Sequence, residues 1–410
     1  MRLRDGDIER KHEMTRQQMT LWGGALMLAA LVAVPVLGRE QAARGGVSDT
    51  PDTPFKLATF EAQSTVRLGM VLGDKVLDIA GANQHLAQQA KLAAVVIPTE
   101  MRTLIEEYDR VKPRLYQIAN YFKTAHPGTA AFAFDVATVS FKAPIKYPWN
   151  MLAAAANYKA HAEGMGGAAP PAGGAGAAPG APGGRPAGGA GGGFDATAAA
   201  RIVPDRDAPI FFAKSPRSCI IDPGEPFYIV DGRQRTDYEV ELAIIMGPRP
   251  AYRVPREQAH DYVFGYSLTQ DLTDRGSERL REVSMFGGTN WFDGKSVDRA
   301  APFGPVIVPK EFLPNPYNLK ISAKLNGKTV QEANTSELIW DEPHMIGFLT
   351  SRLTLYPGDV ILTGTPAGTG MERQTFLKPG DVMTVEIEGI GTLTTPFKAL
   401  SEKPVSPPSR

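Results

Sequence analysis

From Pro209 to Pro396 the chain reads as a succession of short apolar strands broken by one helix-forming stretch, Asp341 to Arg352. The strands fall at 209–214, 236–247, 262–268, 303–308, 319–325, 359–363 and 381–387. Asn326-Gly327 predicts a type I′ hairpin, because both central residues of that turn need positive φ. A doubly wound fold would alternate strand and helix. A single helix among so many strands instead predicts an α+β, mostly β chain built on a rolled or sandwiched mixed sheet. Upstream, strands at 55–60, 66–72 and 75–79, with a Gly73-Asp74 turn, make a small β-lobe. Met101, Leu104, Ile105, Tyr108, Leu115, Ile118 and Tyr121 then recur at helical spacing, in a helix that Pro113 should kink or break. These patterns divide the chain into a small N-terminal α/β domain over 55–147, a larger domain over 148–400 and a tail over 401–410.

Other segments carry no fold of this kind. Leu21 to Leu37 is apolar, follows Arg16 and runs into Pro35, Gly38 and Arg39. It is short for a spanning helix, which needs about 20 apolar residues, so residues 1–38 are expected to be a secretory signal, with an uncleaved N-terminal anchor as the alternative. The protein is then expected to be exported to a periplasm, and to touch a membrane only if the segment stays attached. Residues 39–54 are a linker. Over 164–193 every residue except Met165 and Arg185 is Gly, Ala or Pro, which predicts a disordered insertion with nothing to bury. Lys+Arg and Asp+Glu both total 44, which argues against nucleic acid as a partner. The single cysteine, Cys219, rules out an internal disulfide and sits among apolar residues.

The chemistry centres on Thr236 to Gly247. On an extended strand Asp237, Glu239 and Glu241 share one face, while Tyr238, Val240, Leu242 and Ile244 share the other. Carboxylates roughly 6–7 Å apart repel unless a cation lies between them, and a divalent ion with oxygen ligands resolves the repulsion. A solvated strand face is the competing explanation. Asp271, just beyond an apolar strand, is a candidate third ligand or a helix N-cap. Lys295 suits an anionic substrate, or is a surface lysine. The Gly/Thr loop Leu362 to Gly370 offers backbone N–H groups to an anion, or is a plain turn. His161, near Glu163, is a candidate general base held by that acid.

Taken in order, Asn157-Tyr158-x-x-His161, Tyr238-Glu239-Val240-Glu241-Leu242, Gln270-Asp271-Leu272-Thr273-x-Arg275, Gly294-Lys295-Ser296 and Leu362-Thr363-Gly364-Thr365-Pro366-x-Gly368-x-Gly370 resemble the fumarylacetoacetate hydrolase family. The resemblance spans about 55–396. It implies Mg²⁺, or Mn²⁺ or Ca²⁺, on Glu239, Glu241 and Asp271. It further implies a substrate held by Arg275, Lys295, Gly364 and Thr365, water activated by His161, and a homodimer. Two departures stand out. Acylpyruvase relatives place an acid three residues after the histidine, where this chain has Gly164, with Glu163 at plus two. They also tend to have Gln where Glu278 stands. The expected activity is hydrolysis of a C–C bond in a 2,4-dioxo acid, with isomerisation or decarboxylation of a 2-oxo or 2-hydroxydienoic diacid, or binding without turnover, as alternatives.

Overall fold

The computed structural model describes residues 46–128, 130–165, 201–276 and 291–403. The expectations for the signal or anchor, the first part of the linker, the insertion beyond residue 165, Glu278 and residues 404–410 lie outside these residues. Among the described residues no helix is long and apolar enough to cross a membrane.

The fold is mixed α+β and mostly sheet. It begins with β1 (Lys56–Ala62), β2 (Thr65–Leu72), β3 (Lys75–Asp78), α1 (Ile79–Gln89), α2 (Met101–Glu106), α3 (Tyr108–Ala125), β4 (Ala133–Asp135) and β5 (Ser140–Lys142). The strands form an antiparallel sheet of order β4-β3-β2-β1-β5. Pro113 does not end a helix. The break falls at Glu107, and Pro113 lies inside α3 near its start, where its missing N–H forfeits a single hydrogen bond.

The next elements are β6 (Met151–Ala155), α4 (Lys159–Met165), β7 (Ile210–Ala213), α5 (Pro216–Cys219), β8 (Ile220–Ile221), β9 (Phe227–Ile229), β10 (Thr236–Asp237), β11 (Val240–Met246), β12 (Val263–Gln270), β13 (Thr273–Asp274) and α6 (Trp291–Lys295). The chain continues with β14 (Ala301–Pro302), β15 (Val308–Pro309), β16 (Lys320–Leu325), β17 (Lys328–Asn334), α7 (Glu342–Thr350), β18 (Val360–Leu362), α8 (Gly370–Arg373), β19 (Val382–Ile387) and β20 (Gly391–Ala399). The central sheet has the order β15-β12-β11-β18-β6-β7, and a five-stranded sheet has the order β17-β16-β19-β20-β9. The β16–β17 hairpin turns at Asn326 (φ 50°) and Gly327 (φ 82°), as the Asn-Gly pair predicts.

Strand β11 shows how the layers stack. Val240, Leu242, Ile244 and Met246 enter a core with Ile321, Val385 and Phe397 of the five-stranded sheet and with Met345 of α7. Ala243 and Ile245 enter a second core with Leu57, Met70, Leu104 and Leu115 of the N-terminal lobe. The central sheet is therefore covered on both faces, and all of β11 is buried. Cys219 is buried in the second core. The odd-numbered face of β11 continues past Ala243 to Glu241, so the acids follow directly on an apolar strand face.

Candidate active site

The strand expected over 236–247 is interrupted. Residues 236–237 pair with β13 and 240–246 with β12, leaving Tyr238 and Glu239 between the two ladders. Asp237 holds this break in place. Its carboxylate accepts from the N–H groups of Gly370 (2.5 Å) and Met371 (3.2 Å) and from the Arg275 guanidinium (2.7 Å). The Asp271 N–H donates to the Glu239 carbonyl at 2.9 Å, bringing the end of β12 alongside. As a result Glu239, Glu241 and Asp271 each offer a carboxylate oxygen within 4.8 Å of the others, and all three are buried.

The partners of these acids decide what the cluster can hold. Lys295 Nζ lies 2.7 Å from Glu239 Oε2 and 2.6 Å from Asp271 Oδ2. Lys214 Nζ lies 2.5 Å from Asp271 Oδ1. Arg275 donates to Glu239 Oε1 at 2.9 Å. Burial works against the charged forms, yet Glu239 is held below its usual range by Lys295 and Arg275. The Lys295 ammonium is likewise favoured over burial by Asp271 and Glu239. Glu241 differs: its hydrogen-bond donor is the Gly364 N–H at 2.7 Å, and it has no ion-pair partner among the described residues. Burial, then repulsion from Asp271 and Glu239, pushes its pKa well above the carboxylate range.

Four carboxylates, counting Asp237, thus meet three cationic side chains, and the uncompensated acid is Glu241. The hydroxyls of Tyr158 and Thr363 are buried without a hydrogen-bond partner among the described residues. Thr363 directly precedes Gly364, and the charge of Glu241 adds to burial in raising the Tyr158 phenol. Three carboxylate oxygens within 4.8 Å of one another suit a hard divalent cation, whose charge would favour the ionised form of Glu241 against burial and repulsion.

His161 sits in the first turns of α4, 5% exposed, with Nδ1 2.7 Å from Glu372 Oε1. The expectation that Glu163 holds this imidazole is corrected: Glu163 is exposed. Two residues apart on a helix are about 200° apart around its axis, so His161 and Glu163 cannot share a face. The acid arrives from across the site. Glu372 belongs to the capping box of α8, where Thr369 is the N-cap. A Cβ added at Gly164 would lie 2.9 Å from Glu372 Oε1, so the glycine three residues after His161 leaves the space that this carboxylate fills. Burial raises Glu372, but hydrogen bonding and charge from His161 and the N–H groups of Gly368 and Thr369 outweigh it and lower its pKa.

The residues expected to hold substrate are mostly engaged within the protein. The Arg275 guanidinium bridges Asp237 and Glu239. Gly364, at φ 93°, turns its N–H onto Glu241, so the anion held by the Gly/Thr loop is a side chain of the protein itself. Thr365 is buried, and its hydroxyl accepts from Gln331 Nε2 at 2.9 Å. Sequence reasoning missed Glu372 and Lys214. The Thr369-x-x-Glu372 spacing was legible as a helix cap but not as a partner for His161. Nothing in the sequence marks Lys214, which ends an apolar strand.

Residues 150–398 match the family model described as the fumarylacetoacetate (FAA) hydrolase C-terminal domain. The chain is 29% identical over 347 residues to the oxaloacetate tautomerase YisK of Bacillus subtilis, covering 83% of this chain and 99% of that protein. It is 36% identical over 193 residues to the human mitochondrial oxaloacetate tautomerase FAHD2A, covering 47% of this chain and 59% of that protein. Among solved structures it resembles maleylpyruvate hydrolase from Sphingobium sp. SYK-6 in complex with manganese(II) and pyruvate, with TM-score 0.57 and 26% identity, covering 84% of this chain and 99% of that one.

Proposed function

The chain belongs to the fumarylacetoacetate hydrolase family of enzymes, and on that premise we propose that it is a divalent-metal-dependent keto–enol tautomerase of an oxaloacetate-type 2-oxo acid. The observation that carries this reading is an acid-held imidazole, His161 on Glu372, in the same site as three buried carboxylates. Glu239, Glu241 and Asp271 would hold a Mg²⁺ or Mn²⁺ ion, which would supply Lewis acidity toward a 2-oxo acid. Glu372, kept ionised, takes the Nδ1–H of His161 and leaves Nε2 with its lone pair as the base. That nitrogen takes a proton from the carbon beside the keto group and delivers it to the keto oxygen, so that C–H and C=O become C=C and O–H, and the reverse transfer restores the ketone. The Lys295 ammonium, fixed on Glu239 and Asp271, is placed to stabilise negative charge developing on the 2-oxo oxygen.

Hydrolysis of a 2,4-dioxo acid is the second reading, supported by the likeness to maleylpyruvate hydrolase. Here the same nitrogen deprotonates a water that attacks the distal carbonyl. The test uses full-length protein stripped with EDTA and restored with Mg²⁺, Mn²⁺ or Ca²⁺. Enol-to-keto conversion of oxaloacetate is followed by ultraviolet absorbance, and acylpyruvate cleavage by product analysis. We expect metal-dependent exchange that His161→Ala abolishes. Cleavage without exchange would replace the first reading by the second, and decarboxylation or double-bond isomerisation would appear in the same product analysis. No metal-dependent turnover of any of these acids would leave a binding protein. Export and homodimeric assembly belong to the same proposal, and cell fractionation and analytical ultracentrifugation test them.

A further inference from the structure

Asp237 is the carboxylate beside the metal cluster that no step of the proposed reaction uses. It is fully buried, and its donors come from three segments of the chain. Oδ1 accepts from the N–H groups of Gly370 at 2.5 Å and Tyr238 at 2.8 Å. Oδ2 accepts from the Met371 N–H at 3.2 Å and from Arg275 Nε and Nη2 at 3.0 and 2.7 Å. Both oxygens are engaged, and Asp237 stands apart from the three acids that converge for a metal.

Gly370 shows how closely α8 approaches this carboxylate. A Cβ added there would lie 2.6 Å from Asp237 Oδ1 and 2.6 Å from the Thr375 carbonyl oxygen. Its φ is not in the left-handed region, so the glycine serves the close approach and not the dihedral. Strand β10 also takes the far end of the same segment, because the Leu377 N–H donates to the Thr236 carbonyl at 2.8 Å. Glu372 stands between these two anchors. Its Oε2 accepts from the N–H groups of Gly368 and Thr369, which fixes the side chain and leaves Oε1 for His161 Nδ1. The acid that meets the imidazole is thus placed by α8, and α8 is placed by Asp237.

We propose that Asp237 is a positioning residue for the His161–Glu372 pair, acting through the backbone of α8 and touching neither imidazole nor substrate. The role rests on the reading of His161 as the base, whose misplacement by ~1 Å costs about 10²-fold in rate.

Two substitutions disturb this junction from opposite sides. Asp237→Asn keeps the shape but loses acceptor capacity, and Gly370→Ala wedges α8 away with the carboxylate intact. Each is made in full-length protein, alone and combined with Glu372→Gln. The readouts are steady-state kinetics, metal titration after EDTA stripping, and the downfield proton resonance of the His161–Glu372 hydrogen bond, assigned by its loss in His161→Ala. We expect either change to lower kcat about 10²-fold, to leave KM and metal affinity within about twofold, and to shift or abolish the resonance. In the Glu372→Gln background either change should lower kcat by no more than about twofold, because the path it acts through is already cut. Full additivity there would mean a general structural effect and overturn the proposal. So would near-wild-type kcat in both variants. Metal affinity falling in step with kcat would place the effect in Arg275 and Glu239, and would also overturn it. If no acid is turned over, the reading of the reaction fails separately and the resonance alone decides on Asp237. Its loss in both variants then supports the role, and its persistence in them, or its absence from wild type, refutes it.

Discussion

The imidazole of His161 is served by an acid more than two hundred positions away, while its near neighbour Glu163 faces solvent. Glu372→Gln should therefore lower kcat by up to roughly 10²–10⁴, the usual weight of the general base that it orients, with little effect on KM. Glu163→Gln should leave both close to wild type. Steady-state kinetics on one substrate separates the two cases. Stability should follow Glu372 with a definite sign. Its folded pKa lies below its unfolded one, so its contribution is complete above about pH 4.3 and is lost as pH falls through the folded value. Melting curves of wild type and Glu372→Gln should differ at neutral pH and converge only in acid. The sequence announced the histidine and both strand glutamates through residue type and spacing. It was silent on Glu372, because i,i+2 proximity in sequence is not proximity on a helix.

Among the elements, two glycine turns illustrate different demands on the backbone. Gly327 (φ 82°) closes the β16–β17 hairpin, and an added Cβ there meets nothing within 4 Å. Gly364 (φ 93°) lies in the loop just after β18, and an added Cβ would lie 2.7 Å from Asn157 Cβ. Gly327→Ala should then cost only backbone strain, about 1 kcal/mol. Gly364→Ala should cost about 1–3 kcal/mol of strain and displace the N–H that holds Glu241, weakening metal affinity as well. Chemical denaturation measures the first effect and metal titration the second. The Asn-Gly hairpin was readable because a local rule governs it. The interruption at Tyr238-Glu239 was not, since alternation continues smoothly there and only pairing of Thr236-Asp237 with β13 breaks the strand.

For the whole molecule, the central sheet depends on covers from both sides. Ala243, Ile245, Phe264, Val360 and Leu362 share a core with the N-terminal lobe. A chain beginning at residue 148 would expose that face, and we expect it to be insoluble or to bind hydrophobic dyes strongly, which a solubility assay and dye fluorescence would reveal. Metal should stabilise the intact protein by mass action, about 2.7 kcal/mol at a hundred times Kd. Calorimetry with Mg²⁺ and then with excess EDTA should show a melting temperature lower by a few degrees in the chelated sample. An unchanged value would count against metal at the three carboxylates.

By itself the sequence determined the strand-dominated class and the Asn326-Gly327 turn, because each rests on residue type and short-range periodicity; it offered Glu239 and Glu241 as acids on one strand face, and Asp271 joined them through the family resemblance. It also offered Lys295 and, through the resemblance, Arg275 as groups to hold a substrate. Only the tertiary structure decided that Lys214 and Lys295 share Asp271, that Gly364 serves Glu241, and that Glu372 replaces Glu163 beside His161. Those pairings depend on which strand ends and loops meet across a sheet buried on both faces. Distances of that kind are set by packing of distant segments, which no local pattern encodes.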